Sequence, residues 1–145
     1  DRDGDGVRQY ARKLASTPGK RDGLYWTADA TKGEEMSPFG PLIAESAAYF
    51  EGHAVGDPYR GYRFRILTRQ GAHAAGGAYN YLINGRMIAG FAMVAYPEVY
   101  GDTGVMTFIV SHGGKVYEKD LGANSTALGA KMSTFDPAGW KEVAP

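Results

Sequence analysis

Three aspartates at alternate positions open the sequence and are the first candidates for binding a metal ion. Asp1, Asp3 and Asp5 are followed by Gly6, which matches the first half of an EF-hand loop, where a tight turn aims alternate carboxylates at one calcium ion. The position that should hold a bidentate glutamate is Arg12, a cation, so calcium would need a further ligand from elsewhere. The alternative is a solvated acidic turn that caps a following helix.

A second candidate site consists of carboxylates in and near residues 97–104. Glu98, Asp102 and Asp120 supply acid–base chemistry if two of them share a cleft that raises their pKa values. The chain contains no cysteine, no G-x-S-x-G elbow and no glycine-rich loop in a βαβ context, so thiolate, serine-elbow and nucleotide chemistry have no support. The three histidines stand apart without ligand spacing, and no zinc site is predicted.

A row of arginines forms the third candidate. Arg63, Arg65 and Arg69 alternate with apolar residues over 62–69, a pattern typical of a half-solvated strand. The row could bind an anion. The alternative is the charged, wet side of an edge strand, kept polar against aggregation.

Composition limits the class of protein. A length of 145 residues indicates one domain. Sixteen basic and sixteen acidic residues cancel, so neither nucleic acid nor an anionic membrane surface is implied. No apolar run is long enough to span a bilayer. Twenty-one glycines and ten tyrosines favour a sheet with many turns over a helical bundle.

The candidate sites must be positioned mainly by a sheet. Residues 91–96, 105–110 and 115–119 read as a three-stranded antiparallel meander, in which Ser111-His112-Gly113-Gly114 forms a hairpin turn. Asn84-Gly85 is a second hairpin signal, between residues 79–83 and 86–88. The glycine-rich residues 71–77 are predicted to be flexible.

Short helices complete the predicted fold. Apolar spacing and end signals predict helices at 7–15, 41–50 and 125–132, the last with Ala127, Leu128 and Met132 facing inward. The predicted fold class is therefore α+β, with an antiparallel sheet of roughly four to six strands and two or three short helices. Phe135 and Trp140 should pin the tail. The predicted core is the following set: Leu42, Phe50, Phe91, Met93, Phe108 and Val110.

Several segments resemble an uncharacterised bacterial family of exported proteins, the domain of unknown function numbered twenty-nine fifty. The resemblance rests on PGKRDGLYW, on Asp57-Pro58-Tyr59 with GYRFRIL, and on GVMTFIV followed by KVYEKDLG, and it covers nearly the whole chain. It implies export, a signal peptide and an additional N-terminal region. The chain would then be the C-terminal part of a longer precursor. The family has no known activity, so the resemblance implies location and not mechanism.

The meander also resembles the globular sheet of type IV pilins and pseudopilins. This resemblance is carried by Gly61-Tyr62, Ala95-Tyr96-Pro97, the segment from Thr103-Gly104 to Phe108 and the segment from Gly114 to Tyr117. Pilins have a long hydrophobic N-terminal helix, whereas this chain has only the short predicted helix at 7–15, so the resemblance does not extend to polymerisation through that helix.

These patterns predict a non-catalytic periplasmic or extracellular domain that works by binding or assembly, for example as a subunit of a filament or envelope complex. Self-assembly would use strand or loop exchange at an edge formed by residues 62–69 or 115–119, with calcium at Asp1, Asp3 and Asp5 stiffening the N-terminal turn. The alternative is a cell-envelope enzyme with a carboxylate-based site near residues 97–104.

Overall fold

The computed structural model describes residues 5–37 and 57–144 of the chain. These residues form two compact units, one from residues 5–7, 11–37 and Asp57 and the other from residues 8–10 and 58–144. No helix in the described ranges is both long and apolar enough to cross a bilayer. The single-domain organisation predicted from length stays a prediction.

Among the described residues of the first unit, regular secondary structure is confined to a 3-10 helix at Ala30–Lys32. The Asp22 carboxylate accepts hydrogen bonds from the Lys13 Nζ (2.7 Å), the Thr17 N–H (2.8 Å) and the Thr17 hydroxyl (2.9 Å). Led by the Lys13 bond, these donors hold the pKa of the Asp22 carboxyl well below its ordinary value. Side-chain hydrogen bonds therefore organise this segment together with backbone bonds, such as that from the Ser16 N–H to the Tyr25 carbonyl at 2.8 Å.

The helix predicted at residues 7–15 is wrong. The Asp5 carboxylate accepts the Val7 N–H at 2.8 Å, which closes a local turn, and the Tyr10 N–H donates to the Met87 carbonyl at 2.8 Å. Ala15 forms an isolated parallel bridge with Tyr25. A helix of nine residues is marginal alone, and here its backbone groups have other partners.

Ten strands lie in the described ranges, all in the second unit. Five of them form an antiparallel sheet in the spatial order β1-β6-β7-β8-β10, while β3-β2-β9 form a small mixed sheet and β4-β5 a hairpin. The strands are β1 (Tyr62–Leu67), β2 (Arg69–Gln70), β3 (Tyr79–Asn80), β4 (Leu82–Ile83), β5 (Arg86–Met87), β6 (Ala92–Pro97), β7 (Met106–Ser111), β8 (Val116–Asp120), β9 (Thr134–Phe135) and β10 (Lys141–Glu142).

The predicted meander and both predicted turns are confirmed. Strands β6, β7 and β8 are consecutive antiparallel neighbours, and the turn after Ser111 joins the last two. Asn84 and Gly85 have φ values of 50° and 74°, the positive values that a two-residue hairpin requires. The loop at residues 71–77 is held by the Gln70 side chain, whose amide donates to the carbonyls of Ala75 and Gly77, both at 2.7 Å.

The helix content is smaller than predicted. The described residues contain one α-helix, α1 (Ser125–Lys131), and 3-10 turns at Ala30–Lys32 and Gly122–Asn124. The α+β class is confirmed. The helix predicted at 41–50 lies outside the described residues.

The predicted orientation of α1 is wrong for Ala127 and Leu128, which are exposed, Leu128 by 49%. The helix buries Ser125 and Gly129 instead. A Cβ on Gly129 would lie 2.3 Å from Cγ of Tyr96, so α1 approaches the β6 aromatic ring through a position without a side chain. The prediction was wrong because it placed the larger apolar residues inward, whereas α1 packs through its small residues.

The predicted core face of the sheet is also wrong. The buried residues of β6 and β7 are Ala92, Val94, Tyr96, Pro97, Thr107 and Ile109. The predicted Met93, Phe108 and Val110 alternate with Ala92, Val94, Thr107 and Ile109 on the other face. Phe91 is 37% exposed, and Leu42 and Phe50 lie outside the described residues. Both faces of these strands are apolar, so period-2 alternation carried no signal for choosing between them. Phe135 is buried in this core and Trp140 packs against it, as predicted.

Candidate functional site

Within the described ranges, part of the outer edge of β1 has main-chain groups without a hydrogen-bond partner. On the other side of the strand lies β6, and the Gly61 carbonyl accepts the Glu98 N–H at 2.9 Å. Tyr62 instead exchanges hydrogen bonds with Tyr59, at 3.0 and 2.8 Å, on the side away from β6. Because successive residues of an antiparallel strand face opposite sides, Arg63 and Arg65 bond toward β6, while Phe64 and Ile66 present their N–H and C=O groups outward.

This open edge has closed ends. The Tyr59–Tyr62 bridge occupies one end. At the other, Thr68 donates to the Ser133 carbonyl at 3.1 Å and accepts the Tyr81 N–H at 2.8 Å. Between these ends, the outward groups of Phe64 and Ile66 make no hydrogen bond within the described ranges. The window spans roughly 20 Å, from Tyr62 to Thr68, which is long enough for a short added strand.

The three arginines of the predicted anion site point to three different partners. Arg63 forms a two-point ion pair with Glu98, and the Arg65 Nε donates to the Met132 carbonyl at 2.9 Å. The Arg69 Nε donates to the Thr134 hydroxyl at 3.1 Å. The three arginines therefore donate hydrogen bonds that hold neighbouring segments of the fold together. Arg65 is exposed and bonds to a neutral carbonyl, whereas Arg63 bonds to a carboxylate.

The N-terminal end of β1 is tightly seated. The Tyr62 hydroxyl donates to the Met106 carbonyl at 3.0 Å, and burial raises the pKa of this phenol. A Cβ on Gly104 would lie 2.4 Å from the Tyr62 Oη, so a glycine is required where the 97–104 loop passes the ring. The Thr126 hydroxyl of α1 donates to the Pro97 carbonyl at 2.9 Å and joins this loop to the helix. The edge strand thus rests on a fixed support.

The carboxylates predicted near residues 97–104 serve separate structural bonds. Glu98 pairs with Arg63. The Asp120 carboxylate accepts hydrogen bonds from the Tyr100 hydroxyl at 3.2 Å and from the Gly122 N–H at 2.7 Å. The bond from Tyr100 raises the pKa of the Tyr100 phenol.

Asp102 is exposed in the turn of the same loop. The Asp102 N–H bonds the Val99 carbonyl at 3.2 Å. Glu98 and Asp120 are therefore bonded to separate partners, and Asp102 is held in the loop through its backbone.

Of the three aspartates predicted to bind calcium, only Asp5 lies in the described ranges, since residues 1–4 fall outside them. The Asp5 carboxylate accepts the Val7 N–H, as the alternative of a local acidic turn requires, but the helix that this turn was to cap is not formed. Within the described residues, no three His, Asp or Glu side chains are grouped to hold a metal ion. Calcium binding stays a prediction.

Two histidine clusters were not predicted from the sequence. His73 Nδ1 lies 3.1 Å from Asp136 Oδ2, and the Gly71 backbone leaves room for that carboxylate, since a Cβ there would lie 2.1 Å from it. Partial burial would raise the pKa of Asp136, but hydrogen bonds from the Ala138 N–H and from His73 outweigh it and lower the pKa. The residue that allows this contact is Gly71, where the backbone approaches Asp136 closely. The spacing of residues in the sequence does not reveal that approach.

The second cluster surrounds His112. Its ring packs edge-on against Tyr81 and Phe91, with centroids 5.5 and 6.0 Å away, and Nε2 lies 3.3 Å from the Tyr79 hydroxyl. The Tyr10 and Phe91 rings are tilted by 56° to each other, with centroids 4.9 Å apart. Gly90 lies against the His112 ring, since a Cβ on Gly90 would lie 2.6 Å from His112 Cε1. The cluster fixes the β7–β8 turn against the chain that enters β6.

Comparison with known families gives one match. A family model described as a protein of unknown function (DUF2950) matches residues 1–143. No curated protein and no solved structure matches the chain significantly. The resemblance of the meander to pilins therefore stays a prediction.

Proposed function

The chain belongs to DUF2950, a family of unknown function, and we propose that it is a non-catalytic extracytoplasmic domain that binds an extended polypeptide segment. The segment would add to the larger sheet as a strand beside β1, in the manner of subunits of envelope or filament assemblies. The carrying observation is the pair of outward-facing residues, Phe64 and Ile66, between two closed ends of the same edge.

Strand addition fits the physical character of this edge. Its main-chain groups supply affinity for any extended chain, and the side chains that alternate along it supply selectivity. Phe64 and Ile66 are half-buried, so an added strand would cover apolar surface on one face of the sheet. The rigid seat under Tyr62 holds the edge in the geometry that a partner needs, which lowers the ordering cost of binding.

The enzyme alternative draws less support from the same geometry. Glu98 is committed to Arg63, and Asp120 to Tyr100 and Gly122. A general acid–base pair needs two carboxylates whose environments drive their pKa values apart at one site. Here the acidic groups act as acceptors that shape the 97–104 loop and seat β1.

Amide hydrogen exchange read by NMR on the full chain tests the proposal. In the free protein, the amides of Arg63, Arg65 and Leu67 should exchange on the order of 100-fold more slowly than those of Phe64 and Ile66, because only the former bond to β6. Titration with the neutral peptide Thr-Val-Gln-Val-Thr should shift and protect the Phe64 and Ile66 amides.

A pair of variants separates strand addition from simple apolar contact. Ile66→Pro removes an outward N–H and should abolish the peptide-induced shifts, while Ile66→Ala, which keeps the N–H, should retain them. Sedimentation velocity, with and without calcium, would show whether the chain also pairs with itself. Peptide-induced shifts that spare Phe64 and Ile66, or equal binding by the two variants, would reject strand addition at β1.

A further inference from the structure

We infer, on the premise that β1 accepts an added strand, that the partner is a different polypeptide carrying an apolar–acidic–apolar triplet at the point of contact. The inference concerns side-chain selectivity. It is carried by the alternation of β1, by the bonding of Arg65 and by what β1 would meet in a second copy of the chain.

The register of β1 against β6 fixes which side chains flank an incoming strand. Arg65 lies opposite Val94 and shares its face, whereas Phe64 and Ile66 lie opposite Ala95 and Met93 on the other face. A partner that bonds to both outward residues places one side chain beside Arg65 and its two neighbours beside Phe64 and Ile66. The triplet therefore needs one polar residue between two apolar ones.

The charge of Arg65 selects the central residue. The Arg65 Nε is held by the Met132 carbonyl at 2.9 Å, and the two terminal NH2 groups of this exposed guanidinium make no bond within the described ranges. Arg63, by contrast, has its charge matched by Glu98. Two parallel N–H donors on a planar guanidinium fit a carboxylate, so an aspartate or glutamate on the partner is favoured over a neutral or basic residue.

A second copy of β1 is a poor partner. Antiparallel pairing that uses both outward residues of each copy places Arg65 directly opposite the same arginine of its neighbour, at a Cα separation of roughly 4.5 Å. Like charges directly opposite each other destabilise a strand pair. None of the ten strands in the described ranges has an acidic residue between two apolar ones. Both facts favour a foreign strand.

Three peptides that differ in one residue test the inference on the full chain by NMR titration. We expect Thr-Val-Glu-Val-Thr to bind about fivefold more tightly than its glutamine counterpart, and the lysine counterpart to bind more weakly than both. Arg65→Glu should reverse the order of the glutamate and lysine peptides. The matched control is Arg69→Gln, since Arg69 lies on β2 and bonds to Thr134 on β9, and it should leave the order unchanged.

The outcomes distinguish the inference from its premise. If the three peptides bind equally and protect the Phe64 and Ile66 amides, strand addition stands and the acidic selectivity is wrong. If none of them shifts these amides, both fail. A dimer of the free chain that Arg65→Glu or Ile66→Pro dissociates would overturn the exclusion of a second copy. Reversal of the peptide order by Arg65→Glu would establish the inference.

Discussion

The two edges of the larger sheet differ in length and in the use of charge. β1 is six residues long, whereas β10 has only two, Lys141 and Glu142. At β10 the charges pair within the sheet, with Lys141 Nζ 3.4 Å from Glu118 Oε1 and Lys115 Nζ 3.1 Å from Glu142 Oε2. At β1, Arg63 pairs with Glu98, whereas within the described ranges the Arg65 guanidinium bonds to one carbonyl, that of Met132.

This difference separates a protected edge from a receptive one. Very short strands and charged side chains are the ordinary means by which proteins block unwanted strand pairing, and β10 has both. β1 carries charged side chains but is not short, and the charge of Arg65 lies beside the position that an added strand would take. A positive edge that rejects itself can still accept an acidic partner, so the same arginine serves solubility and selectivity.

The largest expected effect contrasts two adjacent positions of β1. Arg65→Pro should lower the free energy of unfolding by about 3 kcal/mol more than Arg65→Ala, because it removes an N–H that bonds to β6. Ile66→Pro should cost less than about 1 kcal/mol beyond Ile66→Ala, since its N–H faces outward. Urea unfolding followed by circular dichroism measures all four. Equal proline penalties at the two positions would mean that the outer edge is not open.

The next effect tests the seat of the receptive edge. Gly104→Ala should lower the free energy of unfolding by about 1–3 kcal/mol, because a Cβ at that position overlaps the Tyr62 ring. Gly113→Ala is the matched control, since its nearest neighbour, the Ser111 hydroxyl, lies at an ordinary 3.4 Å. The control should change stability by less than about 0.5 kcal/mol. A tolerated Gly104→Ala would show that Tyr62 is not held in place.

The sequence predicts the turns of this fold better than its faces. Asn84, Gly85 and Gly114 have a local conformational requirement, positive φ, that few other residues meet, and both turns were predicted correctly. The buried face of β6 and β7 depends on what packs over it, and both faces are apolar. Ala92, Val94 and Ile109 were therefore missed in favour of larger neighbours.

The candidate site was also predicted only in part, because some of its features are local to β1 and others depend on residues elsewhere in the chain. Two edges were predicted, residues 62–69 and 115–119. The first is confirmed, since β1 ends the larger sheet, and the second is wrong, since β8 lies between β7 and β10. Which main-chain groups remain open depends on distant residues, Tyr59, Ser133 and Tyr81, that no local pattern connects to Phe64 and Ile66. The helix predicted at 7–15 failed likewise, since the Tyr10 N–H bonds to Met87, far along the chain.

The smallest expected effect is a difference in pH response between the two edges. The hydrogen bond to Glu142 and the charge of that carboxylate raise the pKa of Lys115. A lysine whose pKa is higher in the folded than in the unfolded chain stabilises the fold below its unfolded pKa, about 10.4, and this stabilisation is lost as the pH rises through the folded value. The ion pair of Arg63 should persist there, because arginine remains protonated.

Raising the pH from about 9.5 to 11.5 should therefore loosen β10 before β1. The fluorescence of Trp140, next to β10, would report it in a Trp26→Phe background, read as the difference between two variants so that tyrosine ionisation cancels. Lys115→Arg keeps the charge at every pH in this range and should suppress the shift, while Lys115→Gln should show the high-pH signal already at neutral pH. Identical titrations for the lysine and arginine forms would mean that this exposed pair does not hold β10 in place.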